Sequence, residues 1–150
     1  MRRRPVVRAV TFRQCSSPAE FGKDGLAMVK QSKYSYFDTI ARLSKAIRDA
    51  GNTVFATIDQ AAAAEGVGLT LRPTSLIVFG NPKGGTPLME TFPLVALDLL
   101  LKLLVWHDGG NVQIAYTPMS EVAARYWVTG KDAQIAAMDR GLEALSDTVT

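Results

Sequence analysis

The run Gly80 to Thr86, GNPKGGT, carries the residue types that could hold a charged ligand. It follows an apolar strand candidate and precedes an apolar helical segment. Gly80 and Gly85 stand in the G-x-x-x-x-G spacing of phosphate loops, where glycine N–H groups cradle phosphate and a following Lys reaches it. Here Thr86 replaces that Lys, Lys83 lies inside the loop, and Pro82 removes one backbone donor. A nucleotide triphosphatase is therefore disfavoured. A weaker anion site survives. If Thr86 caps a helix whose first residue is Pro87, then Asn81, Lys83, Thr86 and the glycine N–H groups could hold a carboxylate or phosphate. The competing structural reading is a tight turn whose glycines position the strand.

A second candidate is a polar cluster of Asp59, Arg72 and Lys83, charged residues beside apolar runs. Asp59 also reads as a helix N-cap before the Ala61–Ala64 run, a role worth about 1 kcal/mol. Arg72 precedes Pro73 and can pair with Asp59 or Glu65. An enzyme built on these three requires them to converge in one concave pocket. Other chemistries lack their parts. One histidine, His107, and one cysteine, Cys15, give no paired ligand spacing for a metal. They also supply no Ser–His–acid constellation and no internal disulfide. No cofactor is expected, and the balance lies against an enzyme.

These residues need a scaffold, and 150 residues are enough for one domain. Residues 1–25 carry six basic and two acidic residues, a net +4, so the remainder is −1 against the overall +3. That segment reads as a basic tail before a domain spanning residues 26–150. A nucleic-acid-associated protein using the tail is one alternative; the body has no basic excess with which to track phosphates. No apolar run reaches the ~18 residues of a membrane span. A cytoplasmic protein is the expectation.

Along the body, Leu26–Val29 reads as a strand. Tyr36–Ala50 reads as a helix capped by Ser35, with Phe37, Ile40, Leu43 and Ile47 on its apolar face and Gly51 after its end. Thr53–Ile58 alternates as a strand, and Leu69–Leu71 as a short one. Ser75–Phe79 is apolar on both faces, which predicts cover on both sides. Leu101–Trp106 and Val112–Thr117 flank Gly109-Gly110, the strongest hairpin signal present. Ser120 reads as a cap for a short helix. A last helix of about Lys131–Ser146 carries Ile135, Met138, Leu142 and Leu145 on one stripe. This order predicts an α+β fold, an antiparallel sheet with helices packed on one face.

Two stretches, VFATIDQAAAAEGVGLTLRPTSLIVFGNPKGGTPLM and ALDLLLKLLVWHDGGNVQIAYTP, resemble the domain of unknown function 302 family. The resemblance covers about residues 26–128 and is most specific at FGNPKxGTPLM. It implies a TBP-like strand–helix–four-strand–helix layout and a homodimer, and it brings no established activity. The sequence departs from the family where Gln60 and Tyr126 stand in place of its usual histidines, and where His107 replaces an acidic residue. Any ligation by those histidines would be absent here. The combined expectation is a small non-enzymatic domain, paired with a second copy, binding a small ligand between helix and sheet, for which the GNPKGGT run suggests an anion.

Overall fold

A computed structural model describes residues 27–150. Five strands form one antiparallel sheet in the order β1-β5-β4-β3-β2. They are β1 Met28–Ser32, β2 Thr53–Asp59, β3 Thr74–Gly80, β4 Leu101–Asp108 and β5 Asn111–Tyr116. The helices are α1 Tyr36–Asp49, α2 Gln60–Glu65, α3 Pro82–Thr91, α4 Met119–Arg125 and α5 Asp132–Asp147, with a 3-10 helix at Pro93–Leu97. The α+β class and the antiparallel sheet are as the sequence predicts.

Local chemistry sets the helix ends where it is strong. The Ser35 hydroxyl accepts from the Asp38 N–H at 3.2 Å and donates to the Asp38 carboxylate at 2.7 Å, a reciprocal cap. Gly51 follows α1 at φ +81°, a conformation glycine adopts without strain. The Gly109-Gly110 turn joins β4 to β5 with Asp108 opposite Asn111. One face of α1 differs from the expectation. Phe37 is 78% exposed, while Tyr36 turns inward and its hydroxyl meets Ser75 Oγ at 2.7 Å. The buried stripe is Tyr36, Thr39, Leu43 and Ile47, one position out of phase with the predicted start.

The main core lies between α1, α5 and one face of the sheet. Ile77, Phe79, Leu103, Val105 and Ile114 project from β3, β4 and β5 against Leu43, Ile47, Leu142 and Leu145. A second cluster joins α3, the 3-10 helix, α4 and α5 through Leu88, Val95, Met119, Val122 and Ile135. Asp139 of α5 ties the two helical parts together, since its carboxylate accepts from the Met119 and Ser120 N–H groups. A carboxylate from another helix therefore satisfies the first donors of α4, in place of the predicted Ser120 cap.

Two expectations about the sheet are corrected. β3 alternates buried and half-buried residues, with Ser75, Ile77 and Phe79 under the helices and Thr74, Leu76 and Val78 on the other face. Its apolar character is thus only half used in the helix-covered core. Leu69–Leu71 forms no strand. β1 runs Met28–Ser32, and the predicted strand start at Leu26, like the basic tail before it, lies outside the described residues.

Candidate functional site

A cavity of about 490 Å³ opens between the helical layer and one end of the sheet. Its sheet side is built from Phe55, Phe79, Gly80 and Leu101. Its second wall is α3 and the segment after it: Gly84, Gly85, Met89, Ala96, Leu99 and Leu100. Helix α5 closes the third side with Ala137, Met138, Gly141, Leu142 and Leu145. No charged side chain lines it, and the polar side chains present are Asn52, Asn81, Thr86 and Gln134. Its volume is ordinary for a small-molecule site.

Four glycines line this space, Gly80, Gly84, Gly85 and Gly141. A Cβ on Gly85 would lie 3.2 Å from Leu99 Cδ2, and one on Gly80 would lie 3.4 Å from Phe55 Cε2. Both glycines let neighbouring groups approach the backbone closely. Gly84 and Gly141 differ, because a Cβ there would meet nothing within 4 Å. Both sit inside helices, where glycine costs about 1 kcal/mol relative to alanine. The Gln134 amide bridges two walls by donating to the Gly84 carbonyl.

The start of α3 corrects the predicted loop. Asn81, not Thr86, is the N-cap, so the glycines lie in a helix and Pro87 falls inside it. Asn81 also spends the donors that an anion would need. Its side-chain oxygen accepts from the Lys83 N–H at 3.0 Å. Its carbonyl accepts from Gly84 at 3.0 Å and Gly85 at 2.9 Å. Pro82 has no N–H, so the predicted phosphate-type cradle is already filled by its own cap.

The other predicted residues are dispersed. Asp59 accepts from the Ala62 N–H at 2.9 Å and caps α2, as its position suggests. Arg72 pairs with Asp108 at 3.1 Å, not with Asp59 or Glu65. Asp59 is opposite Ser75, whereas Thr53 is opposite Gly80 at the cavity end of the same strand pair. At ~3.3 Å per strand residue, the two ends are separated by roughly 17 Å. Asn81 and Thr86 line the cavity, Lys83 is exposed on α3 beside them, and Asp59 and Arg72 belong to the far end. The three-residue cluster required for the enzyme reading is not assembled within the chain.

A charged group outside those candidates is assembled instead. Asp98, after the 3-10 helix, accepts from Arg125 and from the Tyr126 hydroxyl, both at 2.7 Å, with Lys102 Nζ at 3.5 Å. The Tyr126 hydrogen bond, ahead of the two cations, holds the Asp98 carboxyl below its ordinary range. The same bond raises the Tyr126 hydroxyl. Tyr126 is one of the two positions where the family resemblance leads one to expect histidine. Here it anchors the end of α4 to the end of the 3-10 helix through a carboxylate.

The model of the family described as "Domain of unknown function DUF302" matches residues 28–145. The crystal structure of an uncharacterized conserved DUF302 protein from Bacillus stearothermophilus superposes with a TM-score of 0.78. It has 18% identity, covering 83% of this chain and 98% of that one. The chain is also 38% identical over 119 residues to a protein named fluoride-specific ion channel FluC 1 from Brucella suis biovar 1, strain 1330. It matches the FluC 1 of Brucella abortus biovar 1, strain 9-941, at the same identity. It spans less than half of those curated relatives, 46% and 44% of their lengths, with 78% of its own. Among the described residues, no helix is long and apolar enough to cross a membrane. With its family model spanning strand β1 to helix α5, the chain belongs to the DUF302 family of domains of unknown function.

Proposed function

We propose that this chain is a non-enzymatic binding module that takes a small, uncharged, largely apolar molecule between its helices and its sheet. The observation that carries this reading is the cavity of about 490 Å³ with no charged lining residue. An anion would lose its hydration there and find the backbone donors of α3 already committed to Asn81. An apolar body loses nothing comparable, and Asn52, Asn81, Thr86 and Gln134 can orient one hydroxyl or carbonyl. Glycine inside α3 and α5 fits the same purpose, since space is gained at the expense of helix stability.

The Brucella channels contain a stretch similar to this one over under half of their length. We read that shared stretch as an accessory module. Among the described residues its sheet is open, with β1 and β2 at its edges, whereas a sheet exposed to lipid must close on itself.

The experiment is a titration with Nile red, an uncharged apolar probe. The wild-type chain is expected to show saturable one-to-one fluorescence enhancement. Gly141→Leu, at a glycine of α5 that lines the cavity, is expected to weaken it about tenfold or more. Gly141→Ala, which adds only a methyl group, is expected to retain binding and gain about 0.5–1 kcal/mol of stability. Equal binding by wild type and Gly141→Leu counts against the cavity as the site.

A second copy is part of the same reading. β2 and the segment after it leave Ile58, Val67, Leu69 and Leu71 exposed at 41–74%, a sizeable apolar surface along an unpaired strand edge. Light scattering is expected to give twice the 16.2 kDa chain mass. A monomer at high concentration refutes the pairing.

A further inference from the structure

Three leucines project outward along one short ridge. Leu94 and Leu97 lie on the 3-10 helix at 70% and 76% exposure, and Leu100 follows at 47%. Side chains three apart eclipse in a 3-10 helix, so Leu94 and Leu97 share one face. Phe55, itself 51% exposed, and Leu100 both approach Gly80, where an added Cβ would lie 3.4 Å from Phe55 Cε2 and 3.5 Å from Leu100 Cδ2. The ridge thus has no described partner and runs to the rim of the cavity.

The neighbouring residues are those of a water–lipid boundary. Trp127 is 82% exposed and holds φ +53°, directly after the C-cap of α4. That position ordinarily takes glycine. Nothing in the local packing repays a tryptophan there. Its chain neighbour Tyr126 bonds Asp98, the residue that ends the 3-10 helix, at 2.7 Å. From Pro93 to Lys102 the one acidic residue is Asp98. Lys102 and Arg125 both reach it, at side-chain exposures of 42% and 52%, leaving the group with one net positive charge. Leucines for insertion, a tryptophan for the interface and flanking cations form the composition of a surface that lies on a bilayer.

We propose that the ridge Leu94–Leu97–Leu100, with Trp127, docks this module onto anionic lipid membranes. The occupant is the bilayer surface. The leucines enter the acyl boundary and Lys102 and Arg125 meet the headgroups. This inference does not depend on what the cavity holds.

The test is flotation of the full chain with vesicles of phosphatidylcholine containing about one third phosphatidylserine. The wild type is expected to float with the vesicles. Leu94→Gln/Leu97→Gln is expected to lower the partition coefficient about tenfold or more, with an unchanged circular dichroism spectrum. Trp127→Gly, which suits the left-handed backbone and so retains the fold, is expected to lower it several-fold. Phe37→Ser, an equally exposed apolar position on α1, should float like the wild type. The inference is overturned if the wild type stays with the supernatant, or if the double variant floats as well as the wild type. It is also overturned if deletion of residues 1–25 alone abolishes flotation. A result in which the double variant instead splits a larger protein species, with no vesicle retention in any form, makes the ridge a protein interface and overturns it too.

Discussion

Phe79→Ala is expected to destabilise the chain by about 3–5 kcal/mol, the range for truncating a buried aromatic residue. Phe79 has no exposed surface and stands at the junction of two requirements. It belongs to the main core, opposite Val54 on β2 and Leu101 on β4. It also lines the cavity. Removing its ring deletes apolar burial and extends an existing void, so neighbouring groups cannot collapse onto the gap. For a chain of this length, the melting temperature should fall by about 10 °C or more. Urea unfolding measures the change directly. A loss below about 1 kcal/mol would mean that the ring is not packed as described.

Gln113→Met is expected to move stability the other way, by about 1–3 kcal/mol. Gln113 is 2% exposed on β5, and neither its amide nitrogen nor its oxygen has a hydrogen-bond partner. Its cross-strand neighbours are Trp106 and Gln31, and Gln31 donates to Asn111 instead, at 3.1 Å. A buried amide with both atoms unpaired pays its desolvation cost without return. Methionine keeps nearly the same length and removes the polar atoms. The midpoint of urea unfolding should rise with an unchanged slope. A destabilised variant would show that the amide is satisfied in solution and that its orphaned state is wrong.

The fold was legible where neighbours in sequence decide it. Ser35 and Asp38 cap α1 from three residues apart, and Gly109-Gly110 turns β4 into β5 with little help from the rest of the chain. Asp59 capped its helix for the same reason. Legibility ended where distant groups choose between equal local signals. Asn81-Pro82 and Thr86-Pro87 are both good helix starts. The structure takes the first, with Gly85 packed against Leu99. The cap of α4 comes from Asp139, which no local pattern announces. Tyr36 displaces Phe37 inward because Ser75 offers a partner for its hydroxyl.

The candidate site was legible only in part. The glycines of GNPKGGT border the cavity, and Asn81 and Thr86 line it. The N-cap that makes the helix also occupies the backbone donors that an anion would use. Gly141 was a missed signal. A glycine in mid-helix, on the apolar stripe between Met138 and Leu142, costs stability unless space is needed beside it. Asp59, Arg72 and Lys83 appeared as one cluster because the apolar runs between them look alike. An antiparallel strand pair places its two ends far apart, and that separation is a property of the register.

By this proposal, the space between α3, α5 and the sheet receives an uncharged apolar molecule. Amide chemical-shift mapping of the full chain during titration with 1-octanol tests it most directly. The expected result is saturable shifts of Gly84, Gly85, Leu99 and Gly141, with Asp59 and Arg72 unmoved. Shifts confined to the Asp59–Arg72 end, or none that saturate, would contradict it.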